Sequence, residues 1–202
     1  FMGEIRTSEA HWQTIGHERA RGFLQCSLTA NRLAHAFIIT GPPQVGRMSL
    51  AMDIARAANC EIRPNGPCGR CDNCARITRG VHADVVVIDA QTPIRGVANT
   101  KASTEEDDRV RTSISIDHVR ELKHDSVLNP YEGRSRVLIL DVVEKMSDIS
   151  SRALMKTLEE PALNTIIILI ASSTKQLPET IVSRCQQIRF RPLSPEITEN
   201  IL

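Results

Sequence analysis

Gly41-Pro42-Pro43-Gln44-Val45-Gly46-Arg47-Met48 follows the apolar run Ala36–Thr40 (AFIIT) and opens a stretch, 47–58, with Met48, Ala51, Ile54, Ala55 and Ala58 on one helical face. Two glycines five apart between a strand and a helix match the frame of a phosphate-binding loop, G-x-x-x-x-G-K-[ST]. In that setting backbone N–H groups ring a phosphate at the positive end of the helix. The chemical positions differ. Arg47 stands where the pattern has lysine, and a planar guanidinium is a poor substitute for a compact ammonium between phosphates. Met48 replaces the hydroxyl residue that holds Mg²⁺, and a thioether is a poor magnesium ligand. Ser49 comes one position late, about 100° around the helix. A Gly/Pro turn before a helix is the plain alternative.

Working outward, further apolar runs recur at 85–89 (VVVID), 137–141 (VLILD) and 166–171 (IIILIA), with a weaker one at 187–190 (QIRF). Unbroken runs of this kind suit strands covered on both faces. Helical patterns lie between them: 116–126, with Asp117 as its expected cap, and 148–158, stopped by Pro161. Strands alternating with helices predict an α/β fold with a parallel five-stranded sheet. The polar stretch 91–112, with Glu105-Glu106-Asp107-Asp108, reads as a mobile surface loop.

Asp141 closes the third apolar run. In nucleotide-hydrolysing proteins an acid there helps hold Mg²⁺, and the next residue supplies a glutamate that polarises water. Here that residue is Val142, with Glu144 two further on. Asp141 as a simple strand-end cap is the alternative. Lacking the magnesium hydroxyl and the base, such a site is expected to hydrolyse ATP poorly or not at all.

Cys60, Cys68, Cys71 and Cys74 form C-x7-C-x2-C-x2-C, with turns at Gly66-Pro67 and Gly69. Four thiolates at that spacing can enclose a tetrahedral Zn²⁺ with no open position, which makes the module, about 60–76, structural. Cys26 and Cys185 stand alone and are expected to be buried small apolar residues.

Of 202 residues, 41% are hydrophobic and 3% aromatic, so the core must be aliphatic. The net charge of +1 gives no electrostatic reason for strong independent nucleic-acid binding, and a short, largely uncharged cysteine module argues against a stand-alone DNA-binding role. No long apolar run predicts a membrane span, Glu4, Arg6 and Glu9 interrupt any signal-peptide core, and the expected location is cytoplasmic. Met2 is the expected native start.

The order of these parts, with Ser151-Arg152-Ala153-Leu154-Met155-Lys156-Thr157-Leu158-Glu159-Glu160-Pro161 and the triplet Ser183-Arg184-Cys185, resembles the bacterial DNA polymerase III clamp-loader branch of the AAA+ ATPases, from about Ile15 to Leu193. The resemblance implies an AAA+ domain at 2–191 carrying the zinc module, and the start of a truncated helical lid at 192–202. It implies partners: gamma/tau and delta subunits, and through the complex the sliding clamp and primer-template DNA. Arg184 is implied as an arginine finger acting in trans, and Gly41, Gly46, Arg47 and Asp141 as a degenerate nucleotide site not expected to bind MgATP. Arg47, Met48 and Val142 favour the delta-prime type, without ATPase activity of its own, over a gamma/tau-type motor. Family members usually have one more residue between the first two cysteines. Glu159 and Glu160 sit at a helix C-terminus, where carboxylates oppose the dipole, so a cationic partner is expected. Ser172 and Ser173 lie where relatives sense the γ-phosphate; a strand-end turn is the favoured reading.

Overall fold

The computed structural model describes residues 10–62, 66–89, 114 and 116–193. The stretch 91–112 and nearly all of 192–202 lie outside the described residues.

Five strands, β1 (Ala36–Thr40), β2 (Val85–Ile88), β3 (Arg136–Leu140), β4 (Thr165–Ala171) and β5 (Gln186–Arg189), form one parallel sheet in the order β2-β3-β4-β1-β5. β1, β3 and β4 are buried along their whole length, as their unbroken apolar runs require. The edge strands differ. β2 is half-open and β5 buries only Ile188, because each has a neighbour on one side only.

Side chains leave a strand alternately on two faces. Phe37 and Ile39 point into a layer shared with Leu24, Leu50 and Ile54. Ala36 and Ile38 point into the opposite layer with Val119, Leu122, Leu154 and Leu158. Helices α1 (Glu18–Thr29) and α2 (Arg47–Asn59) therefore cover one face, and α4 (Ile116–Val127) and α5 (Asp148–Glu159) the other. The short helices α3 (Asp72–Thr78) and α6 (Glu179–Val182) carry the cysteine module and the Ser183-Arg184-Cys185 triplet.

Helix ends depart from expectation in one place. Asp117 lies inside the first turn of α4 and pairs with Arg120 at 2.9 Å instead of capping. At α5 the cap is Ser147, whose hydroxyl accepts from the Ser150 N–H. Cys26 is exposed, against expectation: α1 buries Leu24 and Leu28, and Cys26 projects about 200° from Leu24. Cys185 is buried in the α4/α5 layer as expected, and burial pushes its thiol up to about 12.

Asp53 and Arg56 of α2 are both buried and ion-paired. Asp53 also accepts from the Gln13 N–H at 3.1 Å, the Thr14 N–H at 2.8 Å and the Thr14 hydroxyl at 2.6 Å. The carboxylate thus fastens the segment before α1 to the helix that follows the glycine loop. Asp84, just before β2, accepts backbone N–H groups of Tyr131, Glu132 and Gly133 and shapes the loop that leads into β3.

Candidate functional site

β1 sits between β4 and β5, while the chain leaving it crosses to β2 at the far edge through the cysteine module. Parallel sheets bind ligands in the crevice beyond the strand C-termini where the order switches in this way. The glycine loop occupies that position, between the ends of β1 and α2.

Two of its glycines are explained by the backbone. Gly46 has φ +89 and the space a Cβ would need, so its glycine answers a backbone conformation. Gly41 answers a close approach: a Cβ there would lie 2.8 Å from Phe190 Cβ and 3.0 Å from Phe190 O. Gln44 is also left-handed, at φ 62. Met48 packs against the hydrophobic layer of α1 and α2. Its side chain is partly buried there, and its thioether is a poor magnesium ligand.

His17 belongs to this site and was not singled out in the sequence. Its ring stacks on Phe190 with centroids 3.5 Å apart and planes at 16°. Its Nε2 lies 3.1 Å from Val45 O, so that nitrogen carries the hydrogen. Burial lowers its pKa, which keeps the ring neutral near pH 7. One imidazole therefore ties the loop to the end of β5. No local signal marks it, since Phe190 is far away in the chain.

Asp141 stands at the end of β3, and the Val142 N–H donates to its Oδ1 at 2.9 Å. Burial raises its pKa, with Glu144 and Asp89 adding repulsion and Arg47 opposing them. Arg47 thus lies within electrostatic range of Asp141. Val142 adopts φ 57, a strained conformation for a β-branched residue. Glu144 is anchored through one oxygen: its Oε1 accepts from the Ser172 N–H at 3.0 Å, bridging the ends of β3 and β4, while its buried Oε2 has no hydrogen-bond partner among the described residues. Ser173 caps the turn after β4 by accepting from the Lys175 N–H, in line with the strand-end-turn reading.

Arg184 follows α6. Its Nη2 lies 2.7 Å from Glu159 Oε1, and its Nη1 donates to Thr180 O at 2.7 Å. The cation expected beside the last turn of α5 is therefore Arg184 itself, and the two segments that carry the family resemblance touch each other.

The four sulfurs of Cys60, Cys68, Cys71 and Cys74 lie within 4.8 Å of one another, with Cys68 and Cys74 3.9 Å apart. A tetrahedral ion with metal–sulfur bonds of 2.3 Å needs sulfurs about 3.8 Å apart, so the donor set fits Zn²⁺. The Cys74 thiol beside Cys60 lowers the Cys60 pKa to about 5, and the same contact pushes Cys74 up. Sulfurs that compete for protons in this way suit a divalent cation that displaces them. Cys71 caps α3, its Sγ accepting from the Cys74 N–H at 3.5 Å. The N-terminal segment closes over the module: a Cβ on Gly69, at φ +71, would fall 2.7 Å from His11. Asn73 donates to Asn59 O at 3.0 Å, and Arg76 pairs with Glu132, joining the module to the sheet. Among the described residues, no helix is long and apolar enough to cross a membrane.

The fold has solved counterparts. A DNA polymerase III gamma subunit-related protein of Thermotoga maritima is similar with a TM-score of 0.53 and 17% identity, over 91% of this chain and 48% of that one. The RuvB Holliday junction branch migration motor of the same organism gives 0.55 at 13% identity, over 92% and 49%. At such identities the likeness shows the fold alone: a parallel α/β sheet flanked by helices. By sequence the chain is 33% identical to DNA polymerase III subunit tau of Salmonella typhimurium over 183 residues, 90% of this chain and 25% of that protein. It is 31% identical to DNA polymerase III subunit gamma of Buchnera aphidicola subsp. Schizaphis graminum over 189 residues, 93% and 47%. The chain thus spans about a quarter to a half of these relatives. The family described as DNA polymerase III, delta subunit matches residues 16–194, nearly the whole described fold, and the chain belongs to that family.

Proposed function

We propose that this chain works as a delta-prime-like subunit of a DNA polymerase III clamp loader. In this reading it helps ATP-driven partners place the sliding clamp on primer-template DNA, and it lends Arg184 to the nucleotide of a neighbouring gamma/tau subunit. The observation that carries the reading is the glycine loop. Gly41 and Gly46 keep the geometry of a phosphate cradle. Met48 packs partly buried against the core, and Val142 stands where a base would. A cradle without a magnesium hydroxyl or a base holds its shape and does no hydrolysis of its own. Arg184 is half-exposed after α6, as a residue that meets a neighbouring subunit would have to be. A guanidinium there would neutralise charge on a transferred γ-phosphoryl group, worth about 10³–10⁵ in rate. Zn²⁺ on Cys60, Cys68, Cys71 and Cys74 would be structural and take no part in that chemistry.

A gamma/tau-type motor is the second reading, supported by the names of the relatives that match this chain. Calorimetry with ATP and magnesium separates the two. No detectable binding supports the delta-prime role; micromolar, magnesium-dependent binding supports the motor. Arg184→Ala in a reconstituted complex tests the finger: DNA-stimulated ATPase activity should fall while assembly is unchanged.

A further inference from the structure

We propose that Glu159 is a positioning residue for Arg184, holding the guanidinium in the orientation in which it meets a partner's phosphate. The proposal rests on the finger reading above. Three observations point to it. Glu159 is the last residue of α5, at the negative end of the helix, where a carboxylate is unfavourable without a cation. The cation it meets is Arg184, at 2.7 Å. The other terminal nitrogen of Arg184 is fixed by Thr180 O at 2.7 Å, and the Thr180 hydroxyl reaches Met155 Sδ of α5 at 3.3 Å. Both anchors of the guanidinium are thereby referred to the same helix.

The pair is 35% and 44% exposed at its two side chains, so it adds little to folding stability. What it fixes is a rotamer. A long, flexible side chain at a surface samples many orientations, and one gripped at both terminal nitrogens samples few. The two contacts leave N–H donors on both terminal nitrogens and on Nε, so the held arginine still has hydrogens to offer a phosphate. Glu159 therefore orients the finger without consuming it.

The test compares Glu159→Ala, Glu159→Gln and Arg184→Ala in the protein assembled with its ATP-hydrolysing partner subunits, reading DNA-stimulated turnover, KM for ATP and complex formation. Glu159→Ala should lose at least about half of the rate that Arg184→Ala removes, with KM and assembly unchanged. Glu159→Gln, which keeps an acceptor, should recover part of that loss. Glu159→Ala added to Arg184→Ala should cost nothing further, because Glu159 acts through the arginine. A rise in turnover would make Glu159 a latch and overturn the proposal. An unchanged rate, or a further loss on the Arg184→Ala background, would overturn it as well. If Arg184→Ala itself leaves turnover intact, the finger reading fails and this inference falls with it. If only Glu159→Ala is silent, the inference fails alone.

Discussion

Asp53→Ala probes the join between the glycine loop and the segment that carries His17. Asp53 is fully buried, pairs with the buried Arg56, and accepts three hydrogen bonds from Gln13 and Thr14. Removing it strands a guanidinium that is 1% exposed, with Thr78 Oγ1 at 3.3 Å as its remaining acceptor. Breaking a buried pair from one side costs about 3–5 kcal/mol. Each kcal/mol lowers the Tm of a domain of this size by about 2–4 °C, so the expected drop is about 6–20 °C. Urea and thermal unfolding would read it. The double variant Asp53→Ala/Arg56→Met removes the orphaned charge and should recover much of the loss. The mechanism is refuted if the single variant costs under about 1 kcal/mol, or if the two changes simply add. The first outcome would mean that water reaches Arg56, the second that the pair is not coupled.

Three further outcomes follow from the site. The purified protein should contain one Zn²⁺ per chain by atomic absorption; Cys74→Ser should lower that occupancy, and a chelator should expose backbone in 60–76 to hydrogen exchange. Asp84 should mark the acid limb of stability: burial opposes its charge, but N–H groups of Tyr131, Gly133 and Glu132 together outweigh burial and hold its pKa below the ordinary 3.8. Its contribution is then present above pH 3.8 and lost as pH falls through the lower folded value, so Asp84→Asn should flatten the stability profile below about pH 4. The paired change Arg47→Lys/Met48→Thr should bring magnesium-dependent ATP binding up at least about ten-fold by calorimetry, at a packing cost of about 1–3 kcal/mol; no gain would mean that the loop is closed to nucleotide for a reason other than these two side chains.

How legible the molecule was depended on whether the deciding contacts were local. The buried strands β1, β3 and β4 were read to within a residue, because a strand covered on both faces writes a continuous apolar run. α1 went unread because it buries only Leu24 and Leu28, too narrow a stripe to register. α3 was hidden because it is 7 residues long and is capped by a cysteine sulfur, not by a residue with a strong capping preference. Asp53 and Arg56, three apart in a helix, look in sequence like a surface ion pair. Their partners lie elsewhere in the chain: Gln13 and Thr14, about 40 residues away, bond to Asp53, and Thr78 of α3 accepts from Arg56. The four cysteines were legible as a set because their spacing is local. The Glu159–Arg184 and His17–Phe190 contacts were not, because each joins distant parts of the chain.

The strained backbone at Val142 bears on what the fold has kept. A β-branched residue at φ 57 costs about 1–3 kcal/mol and persists only when its surroundings impose it. Here they do: its N–H is held by Asp141 Oδ1, and Glu144 just after it is held by the Ser172 N–H. The turn beyond β3 thus keeps a demanding shape with a side chain that cannot polarise water. The same holds at Gly41, where Phe190 leaves no room for a Cβ, although Arg47 and Met48 are poor partners for MgATP. Kept backbone shape with altered side chains at Val142 and in the glycine loop fits the proposed role, in which neighbouring subunits hydrolyse the nucleotide. The ends of β3, β4 and β5 must still sit where an ATPase fold puts them, because the position of α6, and so of Arg184, depends on them. On this argument Val142→Gly, which relieves the strain, should stabilise the free protein and leave the DNA-stimulated turnover of the complex unchanged. A loss of turnover comparable to that of Arg184→Ala would show that Val142 does more than fill a turn.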